Sequence, residues 1–188
     1  AIRGDSTGAI ETLQAMHRRN PGHHQVLREL AQLYRGKRDF PALLDLLPQL
    51  RKSKALEAKQ LAELEVLAWK GRLCAAADET GSNVQSLNAA WQQVSTTLRQ
   101  QPDLLLAYAG QLHRLGADDE AEGLLRKAIK LAYDSRLVCL YGQLHGKEPL
   151  KQLQTAEGWL TQQPRDSQLL LALGRLCLSC ALWGKARD

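Results

Sequence analysis

Aromatic side chains are scarce in this 188-residue chain, at 5% of all residues, and Phe40 is its one phenylalanine. A β-sheet core draws on aromatic and β-branched residues, so leucine and alanine must fill the interior, which suits closely packed helices. Long apolar runs are missing too: none approaches the roughly 18–20 residues that a membrane span needs. No signal peptide is present, and a chain starting at Ala1 and stopping at Asp188 reads as an excised fragment of a longer parent. Cysteine is sparse, with Cys74, Cys139, Cys177 and Cys180. A chain this long and this apolar does not need disulfide staples, and Cys177-x-x-Cys180 lacks the second ligand pair of a zinc site. The four are read as reduced core thiols. Phosphate-binding loops, dinucleotide fingerprints, H-E-x-x-H and G-x-S-x-G are all absent. Nothing argues for an enzyme, and catalytic and metal-ligating residues are expected to be none.

Charge excludes another class. Lys and Arg number 25 against 20 Asp and Glu, a formal net charge of +5. The densest basic cluster, Arg51-Lys52-Ser53-Lys54, falls where a helix should end, and positive charge is favourable there without any ligand. A nucleic-acid footprint would need a dense basic stripe with aromatic partners, which is lacking, so no nucleic-acid partner is expected. With 44% hydrophobic and 24% charged residues, the composition is that of a folded globular protein.

What the chain does have is a repeat. An apolar quartet with spacing +3, +1, +3 occurs as Leu27, Leu30, Ala31, Tyr34, then Leu105, Tyr108, Ala109, Leu112, then Leu137, Leu140, Tyr141, Leu144, then Leu170, Leu173, Gly174, Cys177. Each quartet makes one face of a helix of about three turns. Nine residues beyond each, a small or aliphatic residue opens a second helix. With Ala9 and Ala90, the second-helix anchors are Ala9, Leu43, Ala90, Ala121, Leu153 and Ala186, a period near 33 broken once by a longer interval. An insertion loop at 75–83 (AAADETGSN) is expected to hold most of the excess. The predicted helices are 6–19, 24–36, 40–52, 57–72, 83–99, 103–115, 118–131, 135–145, 148–163 and 167–181, with another beginning at 183. In the fourth of these the register is ambiguous between Leu61-Leu64 and Leu64-Leu67.

A small residue in the first helix, glycine at the turn (Gly36, Gly116), an alanine opening the second helix and a proline after it resemble the tetratricopeptide repeat. Residues 170–187 (LLALGRLCLSCALWGKAR) match closely, with Trp183 at the usual aromatic position. The resemblance implies an all-α solenoid of about five helical hairpins in a right-handed superhelix, one domain over 1–188 with incomplete repeats at both ends. Residues 27–50 (LRELAQLYRGKRDFPALLDLLPQL), 121–128, 156–164 (AEGWLTQQP) and the closing GRLCLSCALWGKARD further resemble the C-terminal region of the proteobacterial HemY proteins. That family resemblance implies an inner-membrane parent associated with haem (porphyrin) biosynthesis, with this domain on the cytoplasmic side. The implied role is a protein–protein interaction scaffold whose partners are haem-biosynthesis enzymes.

In such arrays the first helices line the groove. Positions +1, +5 and +8 from each quartet's leading leucine give Arg28, Gln32, Arg35, then Leu106, Gly110, His113, then Val138, Gly142, His145, then Leu171, Arg175, Leu178. The early part is basic and suits carboxylates of an acidic peptide, or is a solvated surface. In the later part glycine stands above glycine and histidine above histidine. His113 and His145 are either polar residues near helix ends or, in the alternative reading, ligands of haem or a porphyrin that the glycines admit. No cofactor is expected under the first of these readings.

Overall fold

The computed structural model describes residues 5–78 and 83–182, with side chains from residue 8 onward. All regular structure among the described residues is helical: α1 (Asp5–Arg19), α2 (His24–Lys37), α3 (Phe40–Ser53), α4 (Ala58–Asp78), α5 (Val84–Gln93), α6 (Pro102–Arg114), α7 (Asp118–Leu131), α8 (Ser135–Tyr141), α9 (Pro149–Leu160) and α10 (Ser167–Ser179), with a 3-10 turn at Leu98–Gln100. They form two compact units, residues 1–72 and 73–188.

In the first unit, α1 packs on α2 and α2 on α3. The His23 imidazole accepts the Val26 amide and starts α2, and the Asp39 carboxylate does the same for α3 through Ala42. Both helices end on a residue in the left-handed region, Arg38 (φ 58°) and Lys54 (φ 53°). The amides of Asp39 and Ala55 then return to the carbonyls of Tyr34 and Leu50, closing the last turn as glycine usually does. The core joins Leu27, Leu30, Ala31 and Tyr34 of α2 to Leu43, Leu46, Leu47 and Leu50 of α3 and Leu61 and Ala68 of α4. The single phenylalanine has a definite place: the Phe40 ring occupies the space a Cβ on Gly71 would need, at 2.2 Å.

In the second unit, α5–α6, α6–α7, α7–α8 and α9–α10 are packed neighbours, and consecutive first helices touch as well, α6 on α8 and α8 on α10. Helical hairpins that share their apolar faces with the next hairpin are the signature of a repeat stack. The anchors Leu43, Ala90, Ala121 and Leu153 are all essentially sealed from solvent. Ala186, Trp183 and the expected last helix lie outside the described residues.

The expected boundaries move where a side chain takes over the backbone's hydrogen bonds. Helix α4 continues to Asp78, so residues 75–78 of the expected insertion loop are its last turn; 79–82 lie outside the described residues, and Asn83 caps α5 through Ser86. Helix α5 stops at Gln93 rather than 99, because the Arg99 guanidinium donates to the carbonyls of Val94 (2.8 Å) and Gln92 (2.7 Å) ahead of the β-branched Thr96-Thr97. Helix α8 stops at Tyr141 rather than 145, because the buried Gln152 amide takes the carbonyls of Tyr141 and Leu144. The fourth quartet is corrected: Cys177 is buried as expected, but Leu170 is half exposed, and α10 buries Leu169, Ala172 and Leu176, each one residue off the expected face. None of the four cysteines is in a disulfide; Cys177 is buried and the others are half-buried.

Three carboxylates in the second unit are held below the usual carboxylate range: Asp166 by the Ser135 hydroxyl first and the Tyr133 hydroxyl after it, Asp134 by the Arg136 guanidinium, and Asp119 by the Lys147 ammonium. A carboxyl with a folded pKa below its unfolded one stabilises fully above the unfolded value of about 3.9. That contribution is lost as pH falls through the folded values. The urea midpoint of this unit, followed by tryptophan fluorescence, is therefore expected to stay level above about pH 5 and to drop below about pH 4. Asp166→Asn should flatten the drop, since Asp166 both caps α10 and accepts from Ser135 (2.5 Å) and Tyr133 (2.8 Å).

Candidate functional site

Helix α2 turns Leu27, Leu30, Ala31 and Tyr34 inward, and the helical repeat then leaves Arg28, Gln32 and Arg35 on the adjoining face, where all three are exposed. Across from them stand Gln60, Glu63, Leu64 and Leu67 of α4. Together these residues, with Leu56, line an open groove of about 430 Å³. The Arg28 Nε donates to the Ala55 carbonyl, the residue just past the end of α3, which fixes that side chain along the groove wall. The ambiguous α4 register resolves here: Leu61 and Ala68, one heptad apart, go to the core, while Leu64 is half-buried and Leu67 exposed. That heptad was a signal open to the sequence reading, and the groove's second wall was missed without it.

In the second unit, Gly142 and His145 at the end of α8 and Arg175 and Leu178 of α10 share another groove, of about 550 Å³, with Gln143 and Ser179. None of the residues lining it is acidic. Arg175 is half-buried, and its Nη1 is sealed from solvent without an acceptor among the described residues. A guanidinium in that state is incompletely compensated, since a buried charge calls for a counter-charge or hydrogen bonds.

The expected stripe is thus gathered into one groove in each unit, and five positions fall outside both. Val138 is corrected: it is wholly buried, because α8 turns Leu137, Val138 and Tyr141 inward together. Gly142 is corrected as an opening for a flat ring. A Cβ there would lie 2.5 Å from both Cα and Cβ of Ala172, so the glycine exists to let α8 approach α10, and only the groove's edge touches it. Gly110 does face open space. Leu106 is half-buried and Leu171 exposed.

His113 and His145 converge on one carboxylate. The Asp118 Oδ1 lies 2.7 Å from His113 Nδ1, and Oδ2 accepts the His145 amide at 2.7 Å with the His145 ring 3.7 Å away. Asp118 opens α7, so one side chain joins the end of α6, the start of α7 and the loop after α8. Among the described residues no cluster of three or more His, Cys, Asp or Glu is arranged to hold a metal ion. No described helix is long and apolar enough to cross a membrane. Aromatic packing stiffens the same unit: Trp91 stacks on Tyr108 at 4.3 Å, and burial, with Glu120 adding to it, pushes the Tyr108 phenol up to about 12.

No protein-family model and no solved structure matches the chain. Curated relatives do. The protein HemY of Escherichia coli (strain K12) is 29% identical over 167 residues, and HemY of Escherichia coli O157:H7 and of Shigella flexneri match equally. Each alignment covers 88% of this chain and 41% of the relative, so the chain spans about two fifths of the proteins it matches.

Proposed function

We propose, from its likeness to HemY, that the chain is a member of that family and a non-catalytic scaffold holding haem-biosynthesis enzymes together at the inner membrane, on the cytoplasmic side. The observation that carries this reading is the fate of the basic stripe. Arg28 and Arg35 of one unit and Arg175 of the other each stand in an open groove with apolar neighbours, and none of the ion pairs described above involves them. Grooves of this kind suit protein segments, because guanidinium groups pair with carboxylates while the leucines take up apolar side chains. Co-purification from native membranes with the full-length protein tests it. Reversing Arg28, Arg35 and Arg175 to Glu is expected to remove most of the recovered haem-biosynthesis enzymes. Recovery unchanged by all three reversals overturns the reading.

The haem or porphyrin alternative draws on a different observation, that His113 and His145 from successive repeats meet at Asp118. Imidazole Nε2 of His113 is left for iron, and Asp118 would orient the ring as second partners of ligating histidines do. A Soret band that appears on titrating haem into the purified chain and vanishes in His113→Ala, His145→Ala supports it.

A further inference from the structure

The two units differ in how their first helices meet. In the second, α8 packs directly against both α6 and α10. In the first, α2 and α4 enclose an open trough instead, floored by Ala31, Leu56, Leu64 and Leu67. Leu67 keeps 40% of its surface exposed, which is unusual for a leucine facing a neighbouring helix. The charge is just as uneven. Residues 1–72 hold thirteen Lys and Arg against eight Asp and Glu, while 73–188 hold twelve of each, so the whole +5 excess belongs to the first unit.

Along the trough, α2 presents Arg28, Ala31, Gln32 and Arg35: a cation, a small step, a polar step and a second cation. Seven residues separate the arginines, two turns or about 10.5 Å along the helix axis. A partner helix lying along α2 has the same rise, so its own residues i and i+7 face the two arginines, and i+3 and i+4 face the floor. Glu63, on the α4 side, is the one carboxylate lining the trough, and it disfavours an acidic residue on that flank of the partner.

We propose that the α2–α4 trough docks an amphipathic helix of a partner protein, with carboxylates at i and i+7 on Arg28 and Arg35 and leucine-like side chains at i+3 or i+4 on Leu64 and Leu67. The inference rests on the scaffold reading and specifies what one groove of it holds. The Arg28 guanidinium, fixed by the Ala55 carbonyl, keeps its Nη donors for the incoming carboxylate, so little side-chain freedom is lost on binding. Charge-assisted pairs of this kind fix register, and the apolar floor contributes the burial.

Fluorescein-labelled, alanine-based helical peptides of about 20 residues provide the probe, long enough to hold a helix alone. One carries Glu at i and i+7 with Leu at i+3 and i+4; a second has the same composition with Glu at i and i+5, which splits the charges between faces. Anisotropy against the whole 188-residue chain should show the first binding at least tenfold tighter, with that preference lost at high salt and in Arg35→Glu. Arg35 makes none of the hydrogen bonds described above, so this variant leaves the fold intact, and Arg28→Glu serves as the second. Equal binding of the two peptides, no binding of either, or indifference to both substitutions overturns the proposal. If the peptides fail while native partners still co-purify with the full-length protein, the scaffold stands and this trough is not its docking site.

Discussion

Gly142→Val is expected to destabilise the second unit by about 3 kcal/mol, while Gly110→Ala is expected to be neutral or to stabilise by up to about 1 kcal/mol. The two glycines occupy equivalent positions in successive repeats, yet their surroundings are opposite. A Cβ on Gly142 would sit 2.5 Å from the Ala172 backbone and side chain, far inside contact distance, so α8 and α10 must separate to admit it. Separation opens the shared core of Leu137, Val138 and Tyr141 against Leu169, Ala172 and Leu176. The added methyls of valine enlarge that displacement. Around Gly110 there is nothing within 4 Å of the new Cβ, and the residue lies inside α6, where alanine restrains the unfolded chain and favours the helix. Urea titration of both variants, read by tryptophan fluorescence, checks the contrast; similar midpoints for the two would show that α8 and α10 do not approach as described.

That pair of glycines also shows how far the sequence could be read. The repeat period, the hairpins and most helix limits follow from apolar spacing alone, because shared burial is what makes these helices stable, and burial leaves a period. The anchors Leu43, Ala90, Ala121 and Leu153 were all legible for that reason. Distances between helices leave no period. Whether a glycine opens a groove or closes one depends on what a different helix brings to it, so Gly110 and Gly142 looked alike. Val138 was placed on the open stripe by the same extrapolation, although α8 is short and turns a broader face inward. In α10 a run of three leucines, Leu169 to Leu171, fits two registers equally, and packing on α8 and α9 chose the one that exposes Leu170. Polar side chains that end helices, Arg99 and Gln152, reach back five to eleven residues to backbone carbonyls and leave no mark on the apolar period.

Gln152 offers the second large effect. It is the buried polar side chain of the described core, 3% exposed, and its Nε2 donates to the carbonyls of Tyr141 at 2.8 Å and Leu144 at 3.2 Å, where α8 has ended early. The Tyr141 hydroxyl donates to Glu122 at 2.7 Å, and the Tyr141 ring meets Trp159 edge-on at 4.9 Å, so α7, α8 and α9 all join at this point. Gln152→Leu keeps the volume but removes the donor, leaving the Tyr141 carbonyl with only the Leu144 amide and taking the side-chain bond from the Leu144 carbonyl, and is expected to destabilise by about 1–3 kcal/mol. Gln152→Glu should be worse at neutral pH, since its carboxylate would face two carbonyl oxygens in a buried site. Burial and those oxygens raise the folded-state pKa of the new carboxyl above its unfolded value. The variant's deficit is then smallest below the unfolded value, about 4.3, and grows as pH rises toward the raised one. A deficit relative to wild type that narrows between about pH 7 and pH 5 shows that the buried site rejects a carboxylate, because a mere loss of packing would not depend on pH.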